Sequence, residues 1–555
     1  MRFRGFVLLW LATQAVAATA AKEPVYVHLS VLLNDHFNIQ ATEERLRVTA
    51  AMLKRQGARC PSCSVSALLV FSGTSSEAFE ERNKATGLAD LARQLARSGM
   101  ADIGYDGIDE PTPAMRPQTN FRRARTPEER WLARLEANEW FLTEYKDIRL
   151  GYPDPERPGG LKKTIEVFGT PASVRGVTLE LGGDPEVTHL LRRMKVRAVL
   201  GGIPEARTYP ARNLNGYSGA VAGMGELVSP DTRCAAEVYW QDGYLRLSDT
   251  SGEPMTVVPV YQGPEPLKKV LAKLDRSRKH IVQVLLGHPG LYLPGGFEKG
   301  PYANPLRYAY DNPKTPVLEP SQLRPPRETE EAFRAEEAVV GWLIDEFMRE
   351  NPGSRFLSDS ALMQLAKTSQ ESPVPAGKLR EAVSNLFDQW QTNGNYPPTF
   401  ASARGEYFSL ADMFQMLVTA IAEYSRTGAL PASAPLLPVY GPFEMTDEQG
   451  PAATTIPRSA LIRACATLAP SLADQAWKPV PTNRIPGWVT VDGHRYNAAQ
   501  FLRAMAETYL SPSGPDLKMA TSQMWSAAAT ILPSTRRRYE AGSAWTVKPA
   551  PFAPK

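Results

Sequence analysis

Cysteine and histidine are scarce in this chain, four and six among 555 residues. Four cysteines over such a length exclude a disulfide scaffold, so the fold must rest on a buried core, for which 43% apolar residues is ample. Neither sign of charge is in excess, since 63 basic residues stand against 59 acidic ones and leave a net +4. So even a mixture argues against a nucleic-acid surface. Beyond the first twenty residues there is no run of eighteen apolar residues, so no segment of the mature chain is expected to span a membrane. Proline is abundant, at 48 residues against the roughly 5% of ordinary usage. It divides the chain with turns and excludes a long coiled coil. At about 150 residues per domain, the length suggests two to four domains.

Residues 1–20 read as a signal peptide: Arg2 and Arg4 form a basic start, 5–12 an apolar run, and Ala15-Val16-Ala17 or Ala18-Thr19-Ala20 a small-residue cleavage site. The mature protein is then exported, to a periplasmic or extracellular location; an uncleaved anchor is the alternative. In that oxidising setting the Cys60-Pro61-Ser62-Cys63 loop reads as a local disulfide rather than a redox centre. It follows a helix and precedes a strand, the reverse of an arrangement that puts a thiolate at a helix N-terminus. Cys234 and Cys465 read as buried thiols.

From residue 25 to about 366, β-rich runs alternate with amphipathic helices, which predicts an α/β fold with a parallel sheet. The strand candidates are 25–33, 64–71, 102–105, 177–181, 197–200, 256–261, 280–286 and 355–357, and eight is the barrel number. In a barrel, the carboxyl ends of the strands carry the functional prior. Residues 235–240 and 244–248 around Gln241-Asp242-Gly243 predict an antiparallel hairpin. After residue 366 the chain turns mainly helical and repeats itself without a gap at an offset of 88 residues. Asn395 to Gly405 lies over Asn483 to Gly493, Phe408-Ser409 over Tyr496-Asn497, and the helix 410–424 over 498–510. Each unit reads as a proline, an extended segment, a glycine turn, a capping Ser409 or Asn497, and a helix with one apolar face. Such a unit cannot bury its own face, so the two should pack together or against the first domain. The domains expected are thus 1–20, 25–366, 378–442 (repeat 1) and 459–550 (repeat 2).

Four segments of the first domain carry a family resemblance. Strand 1 ends in Asn34-Asp35-His36, and a later stretch runs Gly104-Tyr105-Asp106-Gly107-Ile108-Asp109-Glu110-Pro111. Tyr152-Pro153-Asp154-Pro155-Glu156-Arg157-Pro158-Gly159 follows, and a late strand ends in Gly287-His288-Pro289. In this order they resemble the polysaccharide deacetylase (NodB-like) family, whose fold is a distorted (β/α) barrel. The resemblance implies metal-dependent removal of N-acetyl or O-acetyl groups from an envelope glycan. Asp35 would be a metal ligand or the base, Arg157 would orient the catalytic carboxylate, and His288 would act as acid for the leaving group. The family's two metal-binding histidines are replaced by Asp106 and Glu110, still four residues apart. An all-carboxylate set of Asp35, Asp106 and Glu110 suits magnesium, calcium or manganese rather than zinc; either the metal has changed or it has gone. Without a metal, Asp106 and Glu110 form an acidic loop that caps the next segment.

Of the remaining histidines, His28 in its apolar strand reads as a hydrogen-bonded core residue, His36 is open, and His189 and His494 read as surface residues. The second repeat, with Pro486-Gly487-Trp488-Val489-Thr490-Val491-Asp492-Gly493, resembles pseudomurein-binding-type repeats. That resemblance implies a cell-wall or envelope polysaccharide as partner, with Trp488, Phe400 and Tyr496 stacking on sugars or else lying in the core. Two functional classes stay open, a carbohydrate deacetylase with a divergent metal site and a non-catalytic glycan-binding or scaffold protein. A glycosidase using Asp106 and Glu110 is disfavoured, because carboxylates four apart on one loop do not flank a sugar.

Overall fold

The computed structural model describes residues 22–34, 39–106, 123–147, 152–175, 185–196, 236–241, 244–249, 263–286 apart from 273, 275 and 277–279, 327–365, 372–442 apart from 393–395 and 399, 454–524, 545–546 and 548–549. In the first half the order is β1 (Val25–Leu32), α1 (Ile39–Arg59), β2 (Ala67–Phe71), α2 (Gly73–Thr86), α3 (Leu88–Arg97), β3 (Ala101–Asp106), α4 (Pro127–Thr143), β4 (Glu144–Asp147), β5 (Tyr152–Pro158), α5 (Gly160–Phe168), β6 (Ser173–Arg175) and α6 (Pro185–Arg193). There follow β7 (Ala236–Gln241), β8 (Tyr244–Asp249), α7 (Glu265–Ala272), β9 (His280–Leu286), α8 (Arg327–Trp342), β10 (Arg355–Phe356) and α9 (Asp359–Leu365). A π-helical stretch, Leu343–Met348, continues α8.

Six of these strands, all parallel where they pair, form one sheet in the order β10-β1-β2-β3-β6, with β9 on β1. The chain is therefore a mixed α/β protein built on a parallel sheet. Parallel strands are covered on both faces and so read as continuous apolar runs. β1 fits this: Val27, Leu29 and Val31 pack on Leu46 and Leu53 of α1 and on Val340 of α8, while Tyr26, His28 and Ser30 are buried on the opposite, inner face. β9 occupies one edge of β1 from Val25 to Val31, so β10, beside Tyr26 and Val27, and β2, beside Ser30 to Leu32, divide the other edge. On the inner face Gly104 sits against Leu68, where a Cβ would lie 3.0 Å from the leucine side chain. A side chain there would require Leu68 to shift by a few tenths of an ångström.

Local chemistry explains the element ends. Ser72 caps α2 through a reciprocal capping box with Ser75, and Gly87 closes it at φ +67°, a left-handed conformation that glycine adopts without strain. Cys60 and Cys63 form the expected disulfide just after α1, and Cys465 is a buried thiol. The strand candidates 177–181, 197–200 and 256–261, and Cys234, lie outside the described residues. The β7–β8 hairpin is as expected. Two features lie outside the strand candidates: β6, and an antiparallel β4–β5 pair.

The second half comprises β11 (Val374–Pro375), α10 (Ala376–Thr392), β12 (Phe400–Ala403), β13 (Glu406–Ser409), α11 (Leu410–Thr427), β14 (Ser433–Ala434), β15 (Thr454–Ile456), α12 (Arg458–Ala473), β16 (Trp488–Val491), β17 (His494–Asn497), α13 (Ala498–Leu510), β18 (Leu517–Met519) and β19 (Lys548–Pro549). The two segments that align in sequence share their local geometry. In each, a two-residue turn with positive φ, Arg404-Gly405 at 51° and 77° and Asp492-Gly493 at 51° and 78°, joins a short antiparallel pair, the signature of a type I′ hairpin. Each hairpin feeds a helix capped by a reciprocal box, Ser409 with Asp412 and Asn497 with Gln500. Both helices bury their faces in one core, where Phe414 and Phe501 pack with ring centroids 5.8 Å apart. Among the described residues no helix is long and apolar enough to cross a membrane.

Candidate functional site

The inner face of the sheet holds a polar cluster. His28 of β1 hydrogen bonds through Nε2 to Asp359 Oδ1, and Ser173 of β6 donates its hydroxyl to Asp359 Oδ2. Asp359 opens α9, three residues after β10, and the neighbouring Ser360 meets Asp102 of β3, its amide at 2.9 Å and its hydroxyl at 3.0 Å. Because β10 wedges into the edge of β1, the start of α9 is delivered beneath the inner face and ties β1, β3 and β6 together. His28, as expected of a core histidine, is 1% exposed, Ser30 is 1%, and Asp359 and Ser173 are 0%.

Serine, histidine and aspartate together resemble the parts of a nucleophilic triad, but the geometry does not. Ser30 Oγ lies 3.4 Å from His28 Nδ1, beyond the roughly 2.6–3.2 Å from which a base takes a proton. All members are sealed from solvent, so no substrate carbonyl has access. The cluster is a satisfied buried network that locks strands together.

Asp35, Glu110 and His288 lie outside the described residues. Of Asp106 and Arg157 only the backbone is placed. Asp106 is the last residue of β3, paired with Arg175 of β6. Arg157 belongs to β5, whose only partner among the described residues is β4, so it is carried by a hairpin apart from the parallel sheet rather than by a loop at a strand end. Among the described residues no three His, Cys, Asp or Glu side chains converge as metal ligands.

One histidine expectation is corrected, and the alternatives for the aromatic residues are decided. His189 is a buried residue, not a surface one, at 3% exposure, and it lies between Tyr440 and Lys478. Tyr496 is fully buried and hydrogen bonds to Thr454 at 2.5 Å; Phe400 is buried with its ring edge-on to Tyr407 at 5.4 Å. Neither is free to stack on a sugar. Trp488 is half-buried beneath the Arg495 guanidinium at 4.6 Å, and His494 is exposed as expected. Asp359 and Ser173 carry no motif; an apolar strand with a lone histidine signals that a partner exists, but not where.

No family model matches the chain, and no curated protein matches it. Among solved structures the chain is similar to a 4-alpha-glucanotransferase from Thermococcus litoralis, with 12% identity and a TM-score of 0.31, over 73% of this chain and 53% of that one. The chain thus spans about half the length of that enzyme.

Proposed function

We propose that the chain is an exported, carbohydrate-directed protein similar to polysaccharide deacetylases, acting on acetyl groups of an envelope glycan at the carboxyl ends of its parallel strands. One observation carries the reading. β1, β3 and β9 run parallel in a single sheet, so their carboxyl ends share one edge. Asp106 closes β3; Asp35 follows the end of β1 by three residues, and His288 follows the end of β9 by two. The described ends of β1 and β9 thus lie at the same edge as Asp106, which supports a site at that edge.

The donor set Asp35, Asp106 and Glu110 is all oxygen and fits a hard divalent cation, which when bound would polarise the acetyl carbonyl and activate water. His288 would hold the proton for the departing nitrogen or oxygen. Asn34 cannot accept a proton, so a deacetylase must take its base from Asp35, which cannot then serve fully as a ligand. On the same reading the sheet closes into a distorted (β/α) barrel, and the hairpin–helix units are copies of one motif that attach the protein to wall polysaccharide.

The second reading, a non-catalytic glycan-binding or scaffold protein, is favoured by the sealed His28–Asp359–Ser173 network and by asparagine at position 34. Acetate release from N- and O-acetylated glycans, with and without added magnesium, calcium or manganese, separates the two. Metal-dependent release that is lost on replacing Asp106 and Glu110 with alanine supports the enzyme. Glycan pull-down without acetate release from any form supports the binding protein.

A further inference from the structure

The α/β half and the C-terminal half meet along a seam that the proposed function does not use. α6 brings His189, Arg192 and Arg193, α4 brings Glu128 and Trp131, and the C-terminal half brings Tyr440 and the segment 474–484. Trp131 donates its indole N–H to the Pro479 carbonyl at 2.8 Å, and Arg484 pairs with Glu128. His189 lies at the centre, stacked on Trp477 with centroids 5.4 Å apart and edge-on to Trp131 at 5.8 Å.

The partners fix the tautomer of His189. A carbonyl oxygen only accepts, so Nε2 carries the hydrogen that goes to the Lys478 carbonyl; Nδ1 is then bare and accepts from the Tyr440 hydroxyl at 2.8 Å. A second proton on Nδ1 would set two donors against each other unless the Tyr440 hydroxyl turned away. It would also add a cation to a place already holding two, since the Arg192 guanidinium lies 4.6 Å above the Tyr440 ring and that of Arg193 4.5 Å above Trp477. The surrounding carboxylates have partners of their own: Glu128 with Arg484, Glu139 with Arg193, and Asp474 with Lys478 and Thr482. Glu186, one turn earlier on α6, is buried.

We propose that protonation of His189 weakens the docking of the C-terminal half onto the α/β half, so that the seam is closed near neutral pH and loosens in mild acid. Burial pushes the His189 pKa below its ordinary value; the Lys478 hydrogen bond opposes this, and Arg192 and Arg193 add to it. A histidine lowered in the docked state binds its proton more readily when undocked. Docking is therefore at full strength above the ordinary value of about 6.5 and is lost progressively as pH falls from there to the lowered value. Asp474, held down to about 2 chiefly by Lys478 and then by Thr482 and the Ala476 amide, keeps its charge throughout that window.

The test uses the purified full-length protein. Hydrogen exchange of residues 185–193 and 474–484, corrected for the intrinsic chemical rate, is followed from about pH 7 to about pH 5, beside the NMR titration of the His189 ring. Protection of both segments should fall together, by about tenfold for each unit that the ring midpoint lies below the ordinary value. His189→Gln, a neutral donor and acceptor that does not titrate, should flatten the dependence. The proposal is overturned if wild-type protection does not change over the window, if the ring titrates at or above the ordinary value, or if His189→Gln keeps the full dependence. Should His189→Gln not fold, the two wild-type measurements decide.

Discussion

At the residue scale, the buried network on the inner face makes the firmest claim. Replacing Asp359 with alanine leaves His28 and Ser173 facing a void without their shared acceptor. Leaving a buried hydrogen-bonding group without its partner costs about 1–3 kcal/mol, and denaturant unfolding should show a loss of at least that order. A loss under about 1 kcal/mol would mean that water already serves these groups. Asp106 and Glu110 make the opposite kind of residue: on the retired-site reading, double replacement by alanine leaves stability unchanged or improved, since like charges four apart repel. Melting temperature, read beside acetate release, checks this. His28 was legible as a core residue because an apolar strand buries whatever it carries. Asp359 was not, because it lies 331 residues away and reads by itself as an ordinary first-turn acid.

At the element scale, the caps were the most legible feature. Ser409 and Asn497 each accept a hydrogen bond from the amide three residues on, at 3.1 and 2.9 Å. Alanine at either should cost about 1 kcal/mol, and similar losses at both sites are what a shared motif requires. Gly493 at φ +78° tolerates no side chain cheaply, so Gly493→Ala should destabilise by about 1–2 kcal/mol, measured by thermal unfolding. Turn and cap chemistry acts over a few residues, which is why the offset of 88 residues could be read directly. The β4–β5 pair escaped the same reading. Pro153, Pro155 and Pro158 demote a run to loop, yet an edge strand in a two-stranded ribbon need not donate every amide.

At the scale of the whole molecule, the seam between the halves decides behaviour that neither half has alone. Removing the Trp131 hydrogen bond by Trp131→Phe should cost about 1 kcal/mol of docking and raise hydrogen exchange in 474–484 without exposing the core around Phe414. Uniform exposure of both regions would show instead that the halves unfold as one unit. On the proposed export, N-terminal sequencing of the mature chain should begin near Ala18 or Ala21, and an intact start on a membrane-fixed chain would refute cleavage.

By itself the sequence determined what depends on short-range order: the alternation of strands and helices, the parallel sheet that alternation demands, the glycine turns, the helix caps and the local disulfide. Each is fixed by neighbours a few residues apart, through backbone conformation and side-chain periodicity. Only the tertiary structure decided that β10 wedges against β1, that Asp359 is the partner of His28, and that His189 is buried at a seam instead of lying in solvent. These depend on which distant surfaces meet. The free energy of burying a polar side chain is set by the partner it finds there, and no periodicity in the chain encodes that partner.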